Sequence, residues 1–168
     1  ERHDLLYVGG FGHPPNVDAV LWFAREVYPG ILDRYPNMKW HVVGGKVPKE
    51  IKELESPNII IEGFVSDEVL EKLYRICRLA VVPLRFGAGV KGKVVEAAYF
   101  QIPLITTSIG AEGLDTQDQS MLVEDDGVKM AEMICTIYED YDRLKEMSDN
   151  GIKFIQKNFM LAEAERVI

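Results

Sequence analysis

The chain has 168 residues, 47% of them hydrophobic, and a formal net charge of −8 from 27 Asp and Glu against 19 Lys and Arg. That length suits one domain with a substantial core, the acidic total argues against general nucleic-acid binding, which calls for a basic face, and no apolar run approaches the roughly 18 residues of a membrane span. The opening Glu1-Arg2-His3-Asp4 is neither a start methionine nor a signal peptide; because it runs directly into a core strand, the chain is expected to be one domain, residues 1–168, cut from a longer polypeptide whose missing part precedes it.

In chain order, Leu5-Leu6-Tyr7-Val8 reads as the first strand, closed by Gly9-Gly10 and a polar loop. Asn16 is placed to cap a helix whose apolar positions Val17, Val20, Leu21, Ala24, Val27 and Tyr28 recur at three and four residues, with Pro29 near its end. Trp40-His41-Val42-Val43 is the second strand, followed by Gly44-Gly45 and a short helix with Pro48 at its first position. Ile59-Ile60-Ile61 is the third, and Ser66 caps the helix carrying Val69, Leu70, Leu73 and Tyr74. Leu79-Ala80-Val81-Val82, short and β-branched, is a buried fourth strand. It passes through a glycine loop into a helix that starts at about Val90. Pro103-Leu104-Ile105-Thr106 and Met121-Leu122-Val123 are strands five and six, separated by the turn Gly110-Ala111-Glu112-Gly113. Val128 to Tyr138 and the stretch from Tyr141 onward are helical. Cys77 and Cys135 lie in apolar helical contexts without metal-ligand spacing, as reduced core thiols of a cytoplasmic protein.

Helical segments separate the strands throughout, which implies right-handed crossovers and a parallel sheet. The expected fold is α/β, a Rossmann-like doubly wound sheet of about six strands with helices on both faces. Ligands of such sheets sit outside the carboxyl ends of the strands. The loops there cover residues 9–16, 44–47, 63–66, 83–89 and 107–113, and four of the five carry two or more glycines.

The fourth of these loops is the most informative. Gly87, Gly89 and Gly92 open a helix, where free backbone N–H groups approached through glycine favour an anion. From Lys72 to Val95 there is no acidic residue, while Lys72, Arg75, Arg78, Arg85, Lys91 and Lys93 all fall there. Lys72, Arg75 and Arg78 read as solvated charges of the preceding helix. Arg85, Lys91 and Lys93 flank the glycines and read as an anion site. Glu96, just beyond, is open to two readings: a carboxylate accepting from a vicinal diol, or a surface ion pair with Lys93 three residues earlier. His41 reads as a satisfied strand histidine, and His13 as a loop histidine or a ligand contact. The glycine spacing satisfies G-x-G-x-x-G, but it follows the fourth strand after a Pro-Leu-Arg-Phe spacer, and no acidic residue ends the next strand; a nicotinamide or flavin site is therefore the lesser reading, beside a non-catalytic flavodoxin-like interaction domain. No Walker loop, Ser-His-Asp spacing or metal-ligand cluster occurs.

Taken together, Tyr7-Val8-Gly9-Gly10 with Pro15-Asn16-Val17-Asp18, Val42-Val43-Gly44, Gly63-Phe64-Val65, Pro83-Leu84-Arg85, Gly87-Ala88-Gly89-Val90-Lys91-Gly92-Lys93-Val94-Val95-Glu96-Ala97 and Gly110-Ala111-Glu112-Gly113-Leu114 resemble, in order, the C-terminal, nucleotide-sugar-binding domain of GT-B glycosyltransferases of the retaining family 4. The resemblance implies a domain that binds a nucleoside diphosphate sugar such as a UDP-sugar, with no cofactor and no metal, beside an N-terminal acceptor domain of the same polypeptide. It implies donor contacts at Gly10, Val65, Arg85, Gly87, Ala88, Gly89, Lys91, Lys93 and Glu96. Lys93 would be catalytic, Lys91 and Lys93 would meet the diphosphate, Glu96 the ribose, and the backbone near Val65 the base. Two departures stand out. Ala88 replaces the first glutamate of the family's Glu-x7-Glu motif, and the loop after the first strand lacks the Arg or Lys that many members place on the phosphates.

Overall fold

The computed structural model describes residues 1–117 and 119–160. Six strands form one parallel sheet in the order β3-β2-β1-β4-β5-β6: β1 Leu5–Val8, β2 Trp40–Val43, β3 Ile59–Gly63, β4 Leu79–Val82, β5 Leu104–Thr106 and β6 Met121–Val123. The helices are α1 Pro14–Trp22, α2 Tyr28–Arg34, α3 Lys49–Lys52, α4 Asp67–Ile76, α5 Gly92–Tyr99, α6 Gly127–Ile137 and α7 Tyr141–Ile155, with π-helical turns at Phe23–Val27 and Gln156–Met160. This is the expected doubly wound α/β architecture. The expected helix after Tyr141 is met by α7; its continuation over residues 161–168 lies outside the described residues.

Alternation along the strands splits the core in two, because successive side chains point to opposite faces. Leu5 and Tyr7 join a cluster with Val20, Ile31, Trp40, Met130 and Ile134, beneath α1, α2 and α6. Leu6 joins the other, with Leu73, Tyr74, Val94 and Ala97 beneath α4 and α5. At the centre of the first cluster, Phe23 lies 4.7 Å from Trp40 and Tyr28 lies 5.6 Å from it, while the Tyr28 hydroxyl donates to the carbonyls of Met38 and Asn58 at 2.9 Å. Helix α7 spans both layers: Leu144 and Met147 enter the first cluster, and Phe154 and Ile155 pack on Ala98 of α5.

Several local expectations are corrected. His13, not Asn16, occupies the cap position of α1, and Asn16 lies inside the first turn with its side chain buried. Two prolines at the start of α1 make this favourable, since they preset the backbone and have no N–H to leave unpaired. Pro29 does not end the first helix; it begins α2, after the π-helical turn. Pro48 caps α3 instead of opening it, and α5 begins at Gly92, two residues later than expected. Arg78 is no solvated charge: its guanidinium donates to the carbonyls of Arg2 and Tyr138 at 2.9 Å and lies 4.2 Å from the centre of the Tyr138 ring. Ser66 caps α4 as expected, accepting from the Val69 N–H at 3.3 Å. His41 is satisfied by Glu62 at 2.8 Å. Cys77 and Cys135 are free and buried, and burial pushes the Cys77 thiol up to about 12.

At the carboxyl edge, the first two loops touch. A Cβ on Gly44 would lie 2.0 Å from the Gly9 carbonyl oxygen, so backbone meets backbone there with no side chain that can yield. Gly44→Ala should therefore lower stability by at least about 2 kcal/mol, read from the urea midpoint. Gly10→Ala, with open space around the added carbon, should stay within about 0.5 kcal/mol.

Candidate functional site

The strand order reverses between β1 and β4, and ligands of doubly wound sheets bind at that reversal. Here the two strands also separate early. β1 pairs with β2 over all four residues but with β4 only through Leu5 and Leu6. Loop 9–13 after β1 and loop 83–91 after β4 flank the gap, and the ring of Pro15 approaches the position that a Cβ on Gly87 would take to within 3.8 Å.

The base of the second loop is held firmly. Leu84 is buried, its carbonyl accepts from the Thr107 hydroxyl, and the Val82 carbonyl accepts from Thr106 at 2.8 Å. Beyond it, residues 85–90 are all exposed. Gly87 and Gly89 have φ of +125° and +80°, a backbone region that side chains disfavour. The loop then enters α5, which no side chain caps, whereas Ser66, Asp126 and Asp140 cap α4, α6 and α7. The partial positive charge at that end of α5 is left for another anion.

Lys93, in the first turn of α5, turns back over the gap. Its ammonium donates to the Asn16 side-chain carbonyl and to the Tyr7 hydroxyl at 3.3 Å, and lies 5.2 Å from the centre of the Tyr7 ring. Burial, aided by the neighbouring Lys91 charge, pushes its pKa down to about 8. A lysine so placed is charged near neutral pH but poorly solvated, and gains more than a surface lysine from an incoming anion. The other two cations are engaged. Arg85 makes a two-pronged pair with Asp18, at 2.9 Å from Nε and 2.5 Å from Nη2, which holds that carboxyl below its usual range. Lys91 donates to the Gly89 carbonyl and lies 3.8 Å from Glu112. The other oxygen of Glu112 accepts from the Gly89 N–H at 3.4 Å, so a carboxylate of this chain occupies one backbone N–H of the glycine loop.

Glu96 does not pair with Lys93. It accepts from the Tyr74 hydroxyl at 3.0 Å, and the Tyr74 ring stacks on Phe100 at 4.7 Å. Lys93 has turned toward β1, away from the partner that helical spacing offered. Gly10 is exposed and its carbonyl accepts from the Asn16 amide at 2.7 Å; Ala88 is exposed in the loop; Val65 is half-buried after β3, two strands away from β1. Thus Gly10, Gly87, Ala88, Gly89, Lys91 and Lys93 gather around the β1–β4 gap, Arg85 sits beside it facing Asp18, and Glu96 and Val65 lie to the α4 side. Sequence reasoning missed Tyr7, Asn16, Tyr74 and Glu112. Only Glu112 carried a local signal, an acidic residue within a glycine turn of the ligand edge. Among the described residues, no three His, Cys, Asp or Glu side chains are grouped to hold a metal ion, and no helix is long and apolar enough to cross a membrane.

Comparison with known proteins gives a consistent picture. Residues 2–140 match the family model described as glycosyl transferases group 1. The chain is 28% identical over 164 residues to an uncharacterized 44.6 kDa protein in the cps region of Klebsiella pneumoniae, an alignment covering 93% of this chain and 42% of that protein. The chain thus spans less than half of this relative's length. Its fold is similar to the C-terminal domain of the glycosyl transferase group 1 family protein LpcC from Francisella tularensis, with a TM-score of 0.73 at 18% identity, covering 93% of this chain and 86% of that one. It is also similar to Anabaena HepE solved in complex with UDP-glucose, with a TM-score of 0.73 at 17% identity, covering 100% of this chain and 50% of that one. At these identities the structural likeness speaks for the fold alone.

Two outcomes follow from the charges. The Lys93 ammonium is held below the ordinary lysine range, at about 8, so raising the pH through that value removes its charge in the folded chain; pyrophosphate affinity, measured calorimetrically, should be full near pH 7 and fall steadily toward pH 9. Glu112→Gln removes the competing charge, and should tighten pyrophosphate about two- to tenfold at low salt.

Proposed function

Since the chain belongs to the glycosyl transferases group 1 family, we propose that it is the donor-binding part of a retaining glycosyltransferase that takes a sugar from a nucleoside diphosphate sugar and passes it to an acceptor. The observation that carries this reading is Lys93, half-buried at the strand-order reversal beside the uncapped start of α5. UDP is the first candidate nucleotide because the similar HepE structure holds UDP-glucose.

In this reading the diphosphate lies across the Gly87–Gly89 backbone and the α5 N-terminus, displacing Glu112 from Lys91 and meeting Lys93. As the bond between sugar and diphosphate breaks, negative charge grows on the leaving oxygens. Lys91, Lys93 and the helix end are already in place, so little reorganisation is needed when that charge appears. Glu96 accepts from the ribose hydroxyls, its carboxylate steadied by Tyr74, and backbone groups near Val65 meet the base. Ala88 leaves space beside the donor sugar. The acceptor is held by an N-terminal domain of the longer polypeptide, so the isolated chain binds donor without transferring sugar. The two free, buried thiols suit the cytoplasm.

In thermal unfolding, UDP or GDP should stabilise the chain, by about 2.7 kcal/mol at 100 times the dissociation constant, and the matching nucleoside should do so far less. Preference for NAD over every nucleoside diphosphate would overturn the reading. Glu96→Gln should weaken UDP about tenfold with little change in unfolding midpoint, and 2′-deoxy-UDP should distinguish the variant from the parent less than UDP does.

A further inference from the structure

Three side chains from three elements converge on the space above Gly9: the Tyr7 hydroxyl from β1, the Asn16 amide from α1 and the Lys93 ammonium from α5. A Cβ on Gly9 would lie 2.7 Å from the first, 3.2 Å from the Asn16 amide carbon and 2.6 Å from the third. Asn16 is the fixed member. It is buried, 7% exposed, and its amide nitrogen donates to the Gly10 carbonyl at 2.7 Å, which leaves the amide oxygen facing Lys93. An ammonium has three hydrogens. Asn16 and Tyr7 take two, and the direction left for the third is set by those two acceptors.

We propose that Asn16 is a positioning residue for donor binding and transfer, orienting Lys93 so that the remaining N–H of its ammonium meets the diphosphate of the donor. The inference rests on the donor-binding reading above and adds a residue to it from an element with no cation of its own in the site. It also supplies a reason for the short loop between Gly10 and α1. With Pro14 and Pro15 starting the helix immediately, Asn16 falls on the first turn facing the gap, and a longer loop would carry it away. An amide suits the task better than a carboxylate: its oxygen fixes the ammonium by a hydrogen bond without cancelling the charge that the diphosphate requires.

The charged and titratable groups around Lys93 are Tyr7 from β1, Lys91 from its own loop, Tyr74 from α4 across the small cavity that Lys93 helps line, and Glu96 one turn along α5, which Tyr74 engages. Among the described residues, none is a carboxylate in contact with the ammonium. Asn16→Asp introduces one with almost no change of shape, so its effect on the pH dependence of binding has a definite sign: the Lys93 charge persists to higher pH.

The test measures UDP and uridine affinities calorimetrically in the parent, Asn16→Ala and Asn16→Asp, with UDP followed from pH 7 to 10. Asn16→Ala should lose about tenfold in UDP affinity, the equivalent of one hydrogen bond to a charged group, while uridine stays within twofold. Asn16→Asp should move the midpoint of the UDP pH profile upward by about one unit or more. An unchanged UDP-to-uridine ratio in Asn16→Ala, or an unmoved midpoint in Asn16→Asp, overturns the positioning role while the donor reading stands. If the parent binds UDP no better than uridine, the donor reading falls and the positioning role falls with it. Should Asn16→Ala not fold, the isosteric Asn16→Asp decides by its midpoint alone.

Discussion

A lysine ammonium sunk into the gap between β1 and β4 is the interaction around which the ligand edge is built. Burying an ammonium is unfavourable unless hydrogen bonds replace its water, and the neighbourhood does this with an amide and a phenol instead of a carboxylate. That choice keeps the charge available. It also constrains the backbone: a side chain on Gly9 would have to displace the Lys93 ammonium and the Tyr7 hydroxyl, and Gly44 can carry none because the Gly9 carbonyl lies against it. The early separation of β1 from β4 provides the opening in which the ammonium sits.

The remaining charges at this edge are arranged differently. Arg85 is paired with Asp18 at the surface, where such a pair contributes little to stability and is weakened by salt, while Lys91, its side chain largely covered, lies near the exposed Glu112. Their effect is on electrostatics. Two cations on the loop, a third in the first helical turn and an open helix start together make this edge favourable to anions. The Glu112 carboxylate, accepting from the Gly89 N–H and 3.8 Å from Lys91, offsets part of that positive charge. Among the described residues, Lys93 is hydrogen-bonded to an amide and a phenol and not to a carboxylate.

Much of the architecture was legible from hydrophobic pattern alone. The strands at Leu5–Val8, Trp40–Val43, Leu79–Val82 and Met121–Val123 stand where apolar runs bounded by glycine or polar residues placed them. Parallel pairing followed from the helical segments between them. The misjudged positions share a cause. Asn16 carries the side chain of a helix cap and stands at a helix start, yet the prolines before it moved that start upstream and freed its amide for a contact 77 residues away. Glu96 and Lys93 have the spacing of an ion pair, but each found a partner on another element.

The sequence by itself determined which segments are strands and helices, that the sheet is parallel, that its ligand edge is rich in glycine, and that an otherwise acidic chain gathers cations at one helix start. These are properties of local pattern, set by the periods of strand and helix and by the backbone freedom of glycine. Which of the three flanking cations faces the gap on an amide and a phenol, and which meet carboxylates, was decided only by the tertiary structure. Arg85, Lys91 and Lys93 are alike as charges in a sequence, and they differ because folding sets Asp18 against the first, Glu112 against the second, and an amide and a phenol against the third. Those partners come from residues 67, 21, 77 and 86 positions away, brought near by the strand order around β1, so no pattern within a helix or a loop could announce them.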